Sequence, residues 1–297
     1  MRRLPHLQAL ENEAITILRA GVAEARKPVL LFSGGKDSTV LAHLASKAFY
    51  PAPPPLPLLH VDSTWEFRDV LDFRCRFAVD RGFELAIHHN EKGRQQGLNP
   101  IEHGANYTTI MRTEALKQAL DYFGFDVIFG GARRDEERTR AKERVVSLRS
   151  PLHAWDPRNQ RPELWALYNW RRSDGQTLRV FPLSNWTEQD LWLYIDRERL
   201  ALCPLYFAAE RPVVERDGQL IVVDDAERAE RLGLGPAQAQ KVRFRSLGCW
   251  PVTAAEISDA GDIAAVIRET LSSRASERSG RVSDAGSLEA QKLDGYF

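Results

Sequence analysis

Six residues, Ser33-Gly34-Gly35-Lys36-Asp37-Ser38, constrain this chain more than any other stretch. They follow the apolar run Val29-Leu30-Leu31-Phe32 and lead into Thr39-Val40-Leu41-Ala42-His43-Leu44, so they read as a strand, a tight glycine turn and the first turn of a helix. Backbone N–H groups at such a junction and the positive end of the helix dipole favour an anion. The glycines let the backbone approach it, and Lys36, Ser33 and Ser38 add a charge and two hydroxyls. The loop is not a Walker A motif, which would need glycine at Leu30 and a hydroxyl residue at Asp37.

The rest of the chain repeats the same alternation. Leu7, Leu10, Ala14, Ile17 and Leu18 predict an opening helix that ends near Ala25. Strands are predicted at Val29 to Phe32, Leu56 to Val61, Phe83 to His88, Asp126 to Phe129 and Leu178 to Leu183. Helices with Val70, Leu71 and Phe77, or with Leu116, Ala119, Leu120 and Phe123, fall between them. Continuous apolar strands alternating with helices imply an α/β fold: a parallel sheet of about five strands with helices on both faces and ligands at the carboxyl ends of the strands. Ser33, Asp62 and Gly130 all fall at that edge. After about Asn185 the character changes. Thr187-Glu188-Gln189-Asp190 resembles a capping box, and Asp217-Gly218 lies inside a hairpin pattern. Thr253 to Glu256 reads as another helix start, Ile263 to Leu271 as a further helix, and Ser272 to Gly286 as a flexible tail. The division expected is 1–185 for the nucleotide-binding part and 186–297 for a smaller C-terminal appendage.

Composition narrows the partners. Lys and Arg number 41, as do Asp and Glu, so the 297-residue chain has no net charge, which argues against a nucleic-acid coat or a membrane-surface role. No run approaches the ~20 apolar residues of a membrane span, and Glu11 and Glu13 interrupt any signal-peptide core, so the expected location is cytoplasmic. Cys75, Cys203 and Cys249 form no C-x-x-C pair and are expected to be packed as small hydrophobes rather than to serve as ligands.

A second dense constellation, Gly130-Gly131-Ala132-Arg133-Arg134-Asp135-Glu136-Glu137-Arg138-Thr139-Arg140-Ala141-Lys142-Glu143-Arg144, follows the fourth strand. A charge run of this kind can be a solvated helix laced with ion pairs. At a strand end facing the first loop, Arg133 and Arg134 can instead clamp an oxyanion bidentately.

On these residues the chain resembles the ATP pyrophosphatase superfamily. Within it, the match from Leu4 to Phe297 is to the small catalytic subunits of bacterial heterodimeric sulfate adenylyltransferases. Besides the first loop, the resemblance is carried by His60-Val61-Asp62-Ser63, the Gly130 to Glu137 block with Arg140 to Arg144, Phe244-Arg245-Ser246-Leu247-Gly248-Cys249 and the terminal Gly295-Tyr296-Phe297. Phosphoadenylyl sulfate reductases share the loop but act through a cysteine near the C-terminus in a segment like E-C-G-x-H. The segment Ser287 to Phe297 has none.

The resemblance implies an adenine nucleotide alpha-hydrolase-like fold in which a sulfate oxygen attacks the α-phosphorus of ATP and expels pyrophosphate. It implies that Ser33, Gly34, Gly35, Lys36, Asp37, Ser38 and Asp62 bind the nucleotide and that Lys36, Arg133 and Arg134 carry the chemistry. ATP would bring Mg²⁺, with no metal site assigned to protein residues, and a larger GTPase subunit would couple GTP hydrolysis to the reaction. Asp37 is either a metal or water ligand or an acceptor that ties down its own loop. Asp62 either contacts the nucleotide or caps a helix, and His60, His88 and His89 are read as ordinary strand-end or packed histidines. The alternatives are a reductase-like enzyme working through Cys249, or a non-catalytic ATP-binding regulator.

Overall fold

The computed structural model describes residues 5–136, 141–165 and 167–272. Helix α1 (Pro5–Glu24) precedes β1 (Pro28–Leu31), α2 (Lys36–Phe49), β2 (Leu58–Val61), α3 (Arg68–Arg81) and β3 (Leu85–His88). Two short helices, α4 (Glu91–Gln95) and α5 (Gly104–Thr108), lead through a π-helical stretch, Thr109–Glu114, into α6 (Ala115–Phe123) and β4 (Val127–Phe129). Then come β5 (Val146–Arg149) and β6 (Thr177–Val180). These six strands form one sheet in the order β3-β2-β1-β4-β6-β5. The five expected strands are present and run parallel. The sixth, β5, comes from the arginine-rich insertion and adds antiparallel to β6 at the edge. Its amides are held from outside the sheet as well, since the Glu163 carboxylate accepts from Val145 N and Val146 N at 3.1 and 2.8 Å.

Alternate residues of each central strand enter different cores, as a sheet covered on both faces requires. Leu30, Leu58, Val127, Leu178 and Val180 join the larger core with α1, α2, α3 and the second sheet. Val29, Leu59 and Ile128 pack instead beneath Leu116, Ala119 and Leu120 of α6.

The second half continues with α7 (Glu188–Glu198), β7 (Ala209–Arg216), β8 (Gln219–Val222), α8 (Ala226–Arg231), β9 (Gln238–Arg243), β10 (Glu256–Ile257) and α9 (Ile263–Ser272). Thr187 caps α7 as expected: its hydroxyl accepts from Asp190 N, and the Asp190 carboxylate accepts from Thr187 N. The Asp217-Gly218 hairpin is present as β7–β8 within a four-stranded sheet, β10-β9-β7-β8. The helix expected after Thr253 is absent: Glu256 and Ile257 pair antiparallel with β9. Here ladder bonds and burial of Ala255 outweigh a local cap-like pattern. The tail after Ser272 lies outside the described residues.

Cys203 and Cys249 are buried as expected, but Cys75 is exposed on α3. It falls on the polar face of that helix, opposite Phe73, Phe77 and Ala78.

Candidate active site

The apolar β1 ends at Leu31, and the chain turns sharply before α2 starts at Lys36. Gly34 makes that turn at φ +74°, and a Cβ there would also come within 3.0 Å of Val70 Cγ1. Inside the turn, Gly35 N donates to Ser33 Oγ at 3.3 Å, and the Ser38 and Thr39 hydroxyls donate to Gly35 O at 3.0 and 2.9 Å.

Lys36 is fully buried. Its Nζ donates to Asp37 Oδ2 at 3.0 Å, and Arg133 Nε donates to Asp37 Oδ1 at 2.5 Å. Burial alone would raise the Asp37 pKa, but the charges of Lys36 and Arg133 outweigh it and hold the carboxyl well below the ordinary carboxylate range. Asp37 thus accepts from the lysine of its own loop and from the arginine of the second. The second loop can approach because Gly131 has no side chain: a Cβ there would sit 3.1 Å from Asp37 Cβ and from Ser38 N.

Between the loops lies a cavity of about 210 Å³. Ser33, Gly35, Lys36, Asp37 and Ser38 line it, together with Gly130, Gly131 and His60. Gly34, Asp62, Arg133 and Arg134 are not among its lining residues. Arg133, about 1% exposed, lies behind the loop on Asp37 and also approaches Asp135 Oδ2 at 3.5 Å. Arg134 donates to Asn185 Oδ1 at 2.5 Å, on the outer side. Asp62 accepts from Thr64 N at 2.8 Å and from Arg74 Nη1 at 3.0 Å. Arg133 and Arg134, expected to grip a substrate oxyanion, are here each engaged on acceptors of the protein.

Several residues enter the site that the loop motifs do not announce. The Tyr206 hydroxyl accepts from Lys36 N at 2.8 Å and lines the cavity, so the second half of the chain completes the first loop. Ser246, Leu247 and Gly248 form another wall, anchored by the fork of Arg245 on Glu188, at 3.2 Å through Nε and 2.8 Å through Nη2. The only sequence signal for that wall is its place in the Phe244 to Cys249 match. Arg112, from the π-helical stretch, and Arg179, from β6, also reach the cavity.

His60 Nδ1 is 2.8 Å from Phe32 O. Because a carbonyl only accepts, Nδ1 carries the proton, and burial keeps the ring neutral. His60 lines the cavity, and its Nε2, left as an acceptor, has no partner among the described residues.

Cys249 is 4% exposed, and Arg112 donates to its sulfur from Nε and Nη2 at 3.1 and 2.7 Å. Burial pushes the thiol pKa up despite that guanidinium, so it is a poor nucleophile at neutral pH.

Among the described residues, no three His, Cys, Asp or Glu side chains are grouped so as to hold a metal ion. None of the described helices is long and apolar enough to cross a membrane.

A parallel sheet whose first βα turn is a glycine-serine-lysine loop opening on a cavity at the strand ends defines a nucleotide-binding α/β protein of the pyrophosphatase-loop class. Residues 27–255 match the phosphoadenosine phosphosulfate reductase domain family. The chain is 59% identical over 99% of its length to sulfate adenylyltransferase subunit 2 of Geobacter metallireducens, covering 99% of that protein. It is 58% identical to the protein of the same name from a Bradyrhizobium species, covering 99% of this chain and 92% of that one. This chain belongs to the sulfate adenylyltransferase subunit 2 family. Among solved structures, Candida glabrata FMN adenylyltransferase with FAD and inorganic pyrophosphate superposes with a TM-score of 0.52 at 15% identity, over 84% of this chain and 67% of that one, a likeness of fold.

Proposed function

We propose that this chain transfers the adenylyl group of ATP to sulfate, giving adenylyl sulfate and pyrophosphate. The observation that carries the reading is the buried Lys36, fixed by Asp37 at the start of α2, on the wall of a cavity closed by glycine-rich loops. A sulfate oxygen forms a bond to the α-phosphorus while the bond to the β-phosphate oxygen breaks, and the electron pair leaves with pyrophosphate. Sulfate is already an anion, so no general base is needed, and catalysis rests on positioning and charge neutralisation. Lys36, with the loop hydroxyls and the amides at the α2 terminus, holds the leaving group. Arg133 acts through Asp37 as a positioning residue. A Mg²⁺ arriving with ATP would add charge neutralisation of the leaving group; among the described residues no three His, Cys, Asp or Glu side chains are grouped to hold it.

The mixed anhydride of sulfate and phosphate is less stable than the anhydrides of ATP, so the reaction needs to be driven. This chain has neither a Walker A loop nor an N-K-x-D guanine motif. We infer that the drive comes from GTP hydrolysis on a larger partner subunit.

The test is sulfate-dependent pyrophosphate release from ATP by the chain assembled with that partner. Release that needs sulfate and is faster with GTP is the expected result, and release independent of sulfate would overturn the reading. In Lys36→Ala the rate should fall by about 10²–10³.

A further inference from the structure

The row of residues beneath α6 contains one that does not belong in an apolar core. Strand register places Val29 beside Ile128, and Ile128 beside Arg179. Val29 and Ile128 are fully buried aliphatics, whereas the guanidinium in the same row is about 1% exposed. The Nε, Nη1 and Nη2 atoms of Arg179 have no hydrogen-bond partner among the described residues.

The surroundings make this worse. In the antiparallel pair, Ser147 lies opposite Arg179 and Arg149 lies opposite Thr177, which puts a second buried arginine on the same face. Arg149 donates through Nη2 to Glu143 at 3.0 Å, but its Nε and Nη1 have no partner among the described residues. Burial, and next to it the charge of Arg149, pull Arg179 down to about 9 against the opposing pull of Glu143, so it stays charged at neutral pH. A buried cation left so incompletely answered is rare, because desolvation is costly unless a counter-charge arrives.

Arg179 lines the cavity that the first loop opens. It stands on β6, two strands from β1 with β4 between, roughly 9–10 Å along the sheet from the strand that leads into the Lys36 loop. An in-line displacement places the attacking and leaving groups on opposite sides of the α-phosphorus. With pyrophosphate held on the loop, the attacking anion belongs on the far side. A tetrahedral dianion supplies the acceptors and the charge that this guanidinium lacks, as neutral adenine does not.

We propose that Arg179, backed by Arg149, is the seat of the sulfate ion, the incoming anion of the adenylyl transfer. This assignment rests on the adenylyltransferase reading and deepens it. The test compares the wild-type chain with Arg179→Gln and Arg179→Lys, each assembled with its partner subunit, by initial rates of pyrophosphate release over separate sulfate and ATP titrations.

The expected result is a rise of about 100-fold in KM for sulfate in Arg179→Gln, a smaller rise in Arg179→Lys, and KM for ATP within about twofold of wild type. A sulfate KM that stays at the wild-type value, or an ATP KM that rises in its place, overturns the assignment while leaving the adenylyltransferase reading intact. Absence of sulfate-dependent release from the wild-type complex overturns both. If the variants do not fold, crystals of the wild-type protein soaked in selenate decide the matter: anomalous density within hydrogen-bond distance of Arg179 supports the seat, and selenate bound only elsewhere overturns it.

Discussion

Arg133, behind the first loop, and Arg179, on the cavity wall, are equally buried, yet their charges are met in opposite ways. Arg133 lies on Asp37 at 2.5 Å, and that carboxylate in turn holds Lys36. Arg179 meets no acceptor among the described residues and has Arg149 for a neighbour. The first arrangement is complete before any substrate arrives, so it builds the loop. The second is incomplete without an anion, so its remaining binding capacity is directed at a ligand. Burial alone does not distinguish a structural arginine from a ligand-binding one, whereas the accounting of its hydrogen bonds does.

The sharpest break of this contrast is Asp37→Asn, which strips the counter-charge from Arg133 and Lys36 together. We expect a loss of about 3–5 kcal/mol in urea unfolding. The same variant should alter the acid limb. The folded pKa of Asp37 lies below its ordinary 3.8, so its contribution is present above that pH and lost as the pH falls towards the folded value. In Asp37→Asn that part of the acid-induced loss should vanish.

Arg179→Met is the mirror experiment. Removing an unanswered charge into an aliphatic row should leave stability in sulfate-free buffer unchanged or raise it by about 1–3 kcal/mol. Added sulfate should then no longer raise the melting temperature, as calorimetry would show. A large destabilisation would mean that Arg179 is as structural as Arg133.

The smallest effect is expected at Thr187. Asp135 Oδ2 accepts from Glu188 N at 3.0 Å and faces Arg133 Nη1, so the first turn of α7 borders the completed charge cluster. Thr187→Ala should cost about 1 kcal/mol in urea unfolding, the ordinary value of a lost cap, with the sulfate KM unmoved.

Much of this was readable in the chain. The loop at Ser33 to Ser38, the alternation of strand and helix, the cap at Thr187 and the turn at Asp217-Gly218 are all local patterns, and the fold keeps them. β5 was not readable, because four residues set among arginines gain their strand character only by pairing with β6 and from the amide clamp of Glu163. Thr253 to Glu256 misled for the same reason, a long-range ladder overriding a nearby cap pattern.

At the site, the residues of the first loop were legible, and the partners that reach them across the chain were not. Tyr206 comes from 170 residues away, and nothing in its local sequence marks it. Arg133 and Arg134 were visible as a charged pair at a strand end, but which acceptor each had already found depends on Asp37 and Asn185 in three dimensions. Arg179 carried a faint signal, a lone charge inside the apolar run Leu178 to Leu183. It resembles an ordinary outward-facing strand position until β5 closes the edge.

The bond from Lys36 N to the Tyr206 hydroxyl has a further consequence. That amide stands at the start of α2, among the N–H groups a phosphate would claim, and here it is already engaged by a residue of the second half of the chain. A phosphate taking the amide must displace the hydroxyl, and a departing one hands it back. Tyr206 and a phosphate thus compete for one amide, and the competitor is supplied by the segment leading into β7.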